Sequence, residues 1–211
     1  MLPDFAVAAF LTICFAIFVI VNLYNLKKSS ANKREVKYEA EVEQPTGFIF
    51  ALTALGTGVF FLETVLYIVL VFAGASTIMS NSAVQLQFPY DSYVQLIGIC
   101  MISFGYGLFI WSVLARGRYA TSWGMPENQE LVTWGPYRYV RHPSYLAYFI
   151  LFIGLFLTLL NLVAVFPLIA IPGYIHITTV EEELLTKRFG EAFTEYKRKT
   201  GRFLPKKKCE F

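Results

Sequence analysis

Three stretches of this chain run apolar for the length of a membrane crossing: Pro3–Leu26, Gly47–Ala75 and Tyr93–Ala115. A hydrocarbon core about 30 Å thick needs about 20 residues at the helical rise, so each stretch predicts one transmembrane helix. A fourth run, Pro143–Val180, is about twice as long and is broken by Asn161, Pro167 and Pro172-Gly173. Breakers in mid-run predict a helical hairpin, with spans near 143–160 and 162–180. The expected fold is therefore all-α and integral to the membrane: about five helices (3–26, 47–75, 93–115 and the hairpin) in a single domain, 1–211. Beyond the last span, Leu184, Leu185, Phe189, Phe193 and Tyr196 recur at helical spacing between charges. This predicts an amphipathic C-terminal helix on the cytoplasmic face, with Gly190 a candidate break because glycine costs a helix about 1 kcal/mol.

Charge placement orients these helices. Of 18 Lys and Arg residues, five lie at 27–37, four at 116–141 and nine at 187–208, with none before residue 27 or in 76–92. Five spans put all 18 on one side, and basic loops stay cytoplasmic, so the amino terminus is expected outside and the carboxyl terminus inside. The first run has no basic start or cleavage-site pattern and is expected to be retained. The 27–46 segment, mixed in charge, reads as a solvated loop or a helix extension. At 56% hydrophobic residues the chain is not a soluble domain, and no nucleic-acid or obligate protein partner is indicated. Cys14, Cys100 and Cys209 are too scattered for a disulfide framework or a metal site, leaving Cys209, beside Lys206-Lys207-Lys208, as a palmitoylation candidate.

Within the spans, Gly98, Gly105 and Gly107 predict close helix packing. Glu63 is the one acid well inside a span, read either as a structural carboxyl or as a group beside a substrate cavity.

Polar chemistry gathers at the two ends of the hairpin: ELVTWGPYRYVRHPSY before it and Glu181–Glu183 after it. A hairpin returns its ends to one membrane face, so Arg141-His142 and the glutamates are expected to meet. Pro143 suits the first turn of a helix, whose free N–H groups, with Arg141, make an anion seat. Successive glutamates step about 100° around a helix, so only one or two can face inward. Trp134, Tyr137, Tyr139 and Tyr145 offer aromatic faces to a cation. A ligand with anionic and cationic ends fits. The plainer reading is an interfacial aromatic and basic anchor.

LVTWGPYRYVRHPSY, EEELL and FGEAFTEYKRKTGRFLP, in that order, resemble the isoprenylcysteine carboxyl methyltransferase family and its phospholipid methyltransferase relatives. The resemblance spans roughly 130–205. It implies S-adenosyl-L-methionine as cofactor, held in a region at 129–205 by Glu130, Leu131, Val132, Tyr137, His142, Pro143, Ser144, Tyr145 and Glu182. It further implies a lipid or prenylated acceptor entering from the bilayer, with Arg141 and Glu182 in the catalytic roles and no metal. Gln129-Glu130 stand before Leu131, where relatives often carry a histidine, and no Lys or Arg lies between Arg141 and Lys187, with His176 the nearest substitute. The expected reaction is methyl transfer to a lipid-like acceptor, an isoprenylcysteine carboxylate first, or alternatively a phospholipid amine or a thiol. An NADPH-dependent sterol-type reductase and a non-catalytic membrane adaptor are the competing classes.

Overall fold

The computed structural model describes residues 1–35, 38–41, 47–80, 83–117, 124–126 and 130–206. Cys209 lies outside them. Among the described residues the regular structure is helical apart from one short antiparallel ladder, in which β1 (Tyr38–Glu41) pairs with β2 (Gly124–Pro126). Among the described residues, four helices are long and apolar enough to cross a membrane: Asp4–Lys27 of α1 (Asp4–Glu35), α2 (Phe48–Phe72), α4 (Asp91–Arg116), and Leu162–Phe189. The last comprises a 3-10 stretch, Leu162–Ile169, continued by α6 (Ala170–Phe189). A shorter apolar helix, α5 (Pro143–Leu159), completes the hairpin. Its 17 residues span only about 26 Å, slightly less than a typical hydrocarbon core. A four-residue turn of helix, α3 (Thr77–Ser80), follows α2. Past Gly190, whose φ is +54°, the chain turns into α7 (Glu191–Lys199), so the amphipathic stretch is divided at the expected glycine. The helix-extension reading holds for 27–35, which continue α1.

Composition explains which faces pack. Isoleucine and leucine side chains such as Ile13, Ile17, Leu62, Leu66 and Ile97 remain exposed, as lipid-facing residues do, while small and aromatic residues turn inward. The most extensive helix pair is α4 with α5. Glycines permit that approach: a Cβ on Gly98 would lie 2.6 Å from Thr158 N, one on Gly105 2.8 Å from Leu151 Cγ, and one on Gly154 3.0 Å from Ile102 Cγ1. Gly107 differs from the expectation, because it faces open space. On the other flank, Gly56 and Gly173 bring α2 against the Leu162–Phe189 segment. Between them, Phe60 packs on Phe152, and Tyr148 stacks on Tyr174 at 5.4 Å with an interplanar angle of 5°. Both carboxylate oxygens of Glu63 are buried without a hydrogen-bond partner.

The two ends of the bundle differ in chemistry. At one, Leu2 N donates to Gln95 Oε1 (2.7 Å) and Gln95 Nε2 to Thr158 O (2.9 Å), tying the starts of α1 and α4 to the end of α5. There the hairpin turn, with Leu160 at φ +48°, is clamped by the 83–88 loop: Leu86 N donates to Leu160 O (2.7 Å) and Leu162 N to Val84 O (2.9 Å). At the opposite end, the finish of α4, the start of α5 and the second half of α6 come together.

Candidate functional site

Pro143 opens α5 as its first helical residue, and the preceding turns shape the entry. Gly135–Arg138 form a 3-10 turn lying against α4, with Trp134 Nε1 donating to Ala115 O (3.0 Å). The chain after α7 then returns alongside this segment. Arg141 N donates to Gly201 O (2.9 Å) and His142 N to Arg202 O (3.1 Å), a short parallel pairing that holds RYVRH against TGRF. A Cβ at position 201 would collide with Leu204 O, so only glycine allows the turn that makes this pairing. Phe203 packs on Phe149, and Tyr196 Oη donates to Tyr137 O (2.6 Å).

The expected meeting of Arg141-His142 with the acidic run is observed. Buried residues of α6 at Tyr174, Ile177, Thr178 and Glu182 follow one helical stripe, and that phase turns Glu182 inward, 2% exposed. Its carboxylate accepts from Arg141 Nε at 2.8 Å and Arg202 Nη2 at 3.4 Å, and pairs with Lys197 Nζ at 3.2 Å and His142 Nε2 at 3.3 Å. Arg141 Nη1 also donates to Thr200 O. Glu182 is thus the hub joining α5, α6, α7 and the returning tail. Glu181 is different: its side chain is 36% exposed, and it accepts from Tyr145 Oη at 2.6 Å and meets His142 Nδ1 at 3.5 Å. Glu183 is exposed.

Burial alone would lower the His142 pKa, but its hydrogen bonds to Glu181 and Glu182, and their charges, outweigh this and raise it above 6.5. Folding therefore favours the protonated ring. That contribution is complete below about pH 6.5 and is lost as pH rises through the raised folded value. Thermal unfolding in detergent should accordingly show stability falling as pH rises above about 6.5, and His142→Gln should flatten the slope. A slope unchanged in the variant would assign the pH dependence to another group.

The remaining expected residues divide. Tyr137 and Pro143 are buried, Leu131, Val132, Ser144 and Tyr145 are half-buried, and Glu130 is exposed. Trp134 and Tyr139 are 47% and 54% exposed, and His176 is exposed on the outer side of α6. Ser144 Oγ is buried with no hydrogen-bond partner, one residue into a helix whose first amides have no intrahelical acceptor. An orphaned hydroxyl beside free amides suits a carboxylate, and the half-exposed Glu181 suits an ammonium or sulfonium. The donor set therefore fits a zwitterionic cofactor.

Three members of this cluster escaped sequence reasoning: Lys197, from α7, and Thr200 and Arg202, from the tail. TGRFLP carried the signal for the tail, in a glycine and an arginine beyond the final amphipathic repeat.

Residues 94–192, just under half of the chain, match the family described as phospholipid methyltransferase. A protein-S-isoprenylcysteine O-methyltransferase from Schizosaccharomyces pombe is 38% identical over 77 residues, covering 36% of this chain and 33% of that protein. The aligned region thus spans about a third of the relative's length. Both matches bear out the family resemblance read from LVTWGPYRYVRHPSY, EEELL and FGEAFTEYKRKTGRFLP.

Proposed function

We propose that this chain, related over its C-terminal half to phospholipid and isoprenylcysteine methyltransferases, transfers a methyl group from S-adenosyl-L-methionine to a lipid-like acceptor at the membrane interface. The observation that carries the reading is the convergence of His142–Tyr145 with Glu181 and Glu182 around an orphaned buried Ser144 hydroxyl. In this reading Ser144 and the first amides of α5 receive the cofactor's carboxylate, and Glu181 receives its cationic end. Tyr137, Leu131 and Val132 line its apolar parts. The cofactor supplies an electrophilic methyl on a positively charged sulfur. What the protein adds is alignment and exclusion of water, which can lower a displacement barrier by about 7–11 kcal/mol when geometry is near-attack. Tyr145 fixes the direction of the Glu181 carboxylate, and His142 bridges it to Glu182, so the pocket wall is rigid before any ligand arrives.

The acceptor is read as the carboxylate of an isoprenylcysteine, by the chemistry that the fission yeast relative's name states. A phospholipid amine is the second reading, because the matched family is described by that substrate. The site lies at the end of the bundle that carries the described basic residues of α6 and α7, and the distribution of Lys and Arg supports a cytoplasmic location for it. A protease-accessible C-terminal tag that is cut only from the outside would overturn that orientation.

Calorimetry of the detergent-purified protein with S-adenosylhomocysteine and, separately, NADPH tests the cofactor. Binding of the first alone is expected, and binding of NADPH alone would make the protein a reductase. Transfer of labelled methyl to a farnesylcysteine analogue, set beside total phospholipid, then distinguishes the acceptors.

A further inference from the structure

The cations of the site are unequally committed. Arg141 is spent on Glu182 and on the carbonyls of Lys197 and Thr200, while Lys197 and Arg202 converge on the same carboxylate. These hold the protein together. Arg116 stands apart from them. It ends α4, its Nε is buried and makes no hydrogen bond, and its charge acts on Glu181, Tyr137, Tyr145 and Tyr148. Of these, Glu181, Tyr137 and Tyr145 belong to the proposed cofactor site. Glu181 turns its oxygens to Tyr145 and His142 rather than closing on this guanidinium.

A buried donor left unsatisfied costs roughly 1–3 kcal/mol, more when charged, and persists where something else is meant to meet it. The Nε edge of a guanidinium is the edge that pairs with a carboxylate through two parallel hydrogen bonds. The final turns of α4 carry exposed apolar side chains, Trp111 at 49% and Leu114 at 58%, so the helix that ends in Arg116 is apolar toward lipid up to its last turn. An amphiphile whose tail lies along α4 would bring its head to the level of Arg116 at the end of the helix.

Resting on the methyltransferase reading, we infer that Arg116 receives the anionic head of the acceptor, a carboxylate at the end of an apolar chain, and so determines acceptor specificity. The cofactor's own carboxylate has its seat at Ser144 and the start of α5. Arg116 would repel a cationic amine head, so the assignment also predicts which acceptor class is excluded.

The test uses detergent-purified wild type, Arg116→Gln and Arg116→Lys. Three quantities are read: S-adenosylhomocysteine affinity, KM for N-acetyl-S-farnesylcysteine, and inhibition by the matching carboxamide, which lacks the negative charge. Expected are cofactor-product affinity within about twofold of wild type, and a KM raised roughly tenfold or more in Arg116→Gln and less in Arg116→Lys. Carboxamide inhibition should change little, so the preference for carboxylate over carboxamide collapses. A misfolded or loosened variant would weaken both ligands equally, which would overturn the inference. A tenfold loss of S-adenosylhomocysteine affinity would also overturn it, by assigning Arg116 to the cofactor, as would no change in any reading. A wild type that neither binds S-adenosylhomocysteine nor methylates the carboxylate would sink the proposed function itself, and the inference with it.

Discussion

Glu182→Ala is expected to destabilise the protein by about 3 kcal/mol and to abolish methyl transfer, although Glu182 need never touch a ligand. Its carboxylate is the shared acceptor of Arg141, His142, Lys197 and Arg202, and the Arg141 side chain is only 9% exposed. Removing one partner of a buried ion pair leaves the other charge uncompensated, at about 3–5 kcal/mol. The lower figure applies because Arg141 keeps the Thr200 and Lys197 carbonyls and His142 keeps Glu181. For a chain of this size that corresponds to a fall of roughly 6–12 °C in Tm. Glu182→Gln should also lose stability, since an amide offers one acceptor oxygen where the carboxylate serves four donors, and its NH2 would face cations. Glu183→Gln, on an exposed neighbour, should stay within about 0.5 kcal/mol of wild type. Thermal scanning in detergent with S-adenosylhomocysteine titration checks all three. If Glu182→Ala melted and bound like wild type, the four-way convergence would not be what holds the pocket.

The difference between what could and could not be read in the sequence follows from the range of each contact. Spans were legible because lipid imposes one rule on every residue of a helix, and the hairpin was legible because Asn161, Pro167 and Pro172 interrupt an apolar run that no single helix needs. From the hairpin alone followed the meeting of Arg141 and His142 with the acidic run. The choice of Glu182 among the three came from the family resemblance, whereas its inward phase is set by the buried stripe of Tyr174, Ile177 and Thr178, which the run of glutamates alone does not mark. By contrast, Thr200, Gly201 and Arg202 reach the site through backbone pairing of an irregular tail, which has no hydrophobic period to reveal it. Arg116 is separated from His142 by a segment without strong periodicity, so only the packing of α4 on α5 brings its charge to the pocket. The clamp of the 83–88 loop on the hairpin turn was hidden for the same reason: Gln85 and Asn161 find each other across 76 residues.

That helix pair is where the largest purely structural effect is expected. Gly98→Leu should separate α4 from α5, because even a Cβ at this position would lie 2.6 Å from Thr158 N and 2.8 Å from Gly154 O. These neighbours are backbone atoms, which cannot rotate away as a flexible side chain can. Gly98→Ala should therefore cost about 1–3 kcal/mol by overpacking, and leucine more. Gly107, nine residues along the same helix, faces open space, so Gly107→Ala should be neutral or gain up to about 1 kcal/mol through helix propensity. The contrast controls for any general effect of filling glycines in α4. Distance makes the functional consequence informative, since Thr158 and Pro143 are 15 residues apart on α5, about 22 Å along its axis. If S-adenosylhomocysteine affinity drops in Gly98→Leu while Gly107→Ala retains it, the crossing at the far end of α5 sets the position of His142–Tyr145 at the near end. A Gly98→Leu protein as stable as wild type would mean that α4 and α5 are not held at the separation their glycines allow. Unchanged ligand affinity in a destabilised Gly98→Leu would locate the rigidity of the pocket in the Glu182 hub, because that hub joins α5 to α6 and the tail without passing through α4.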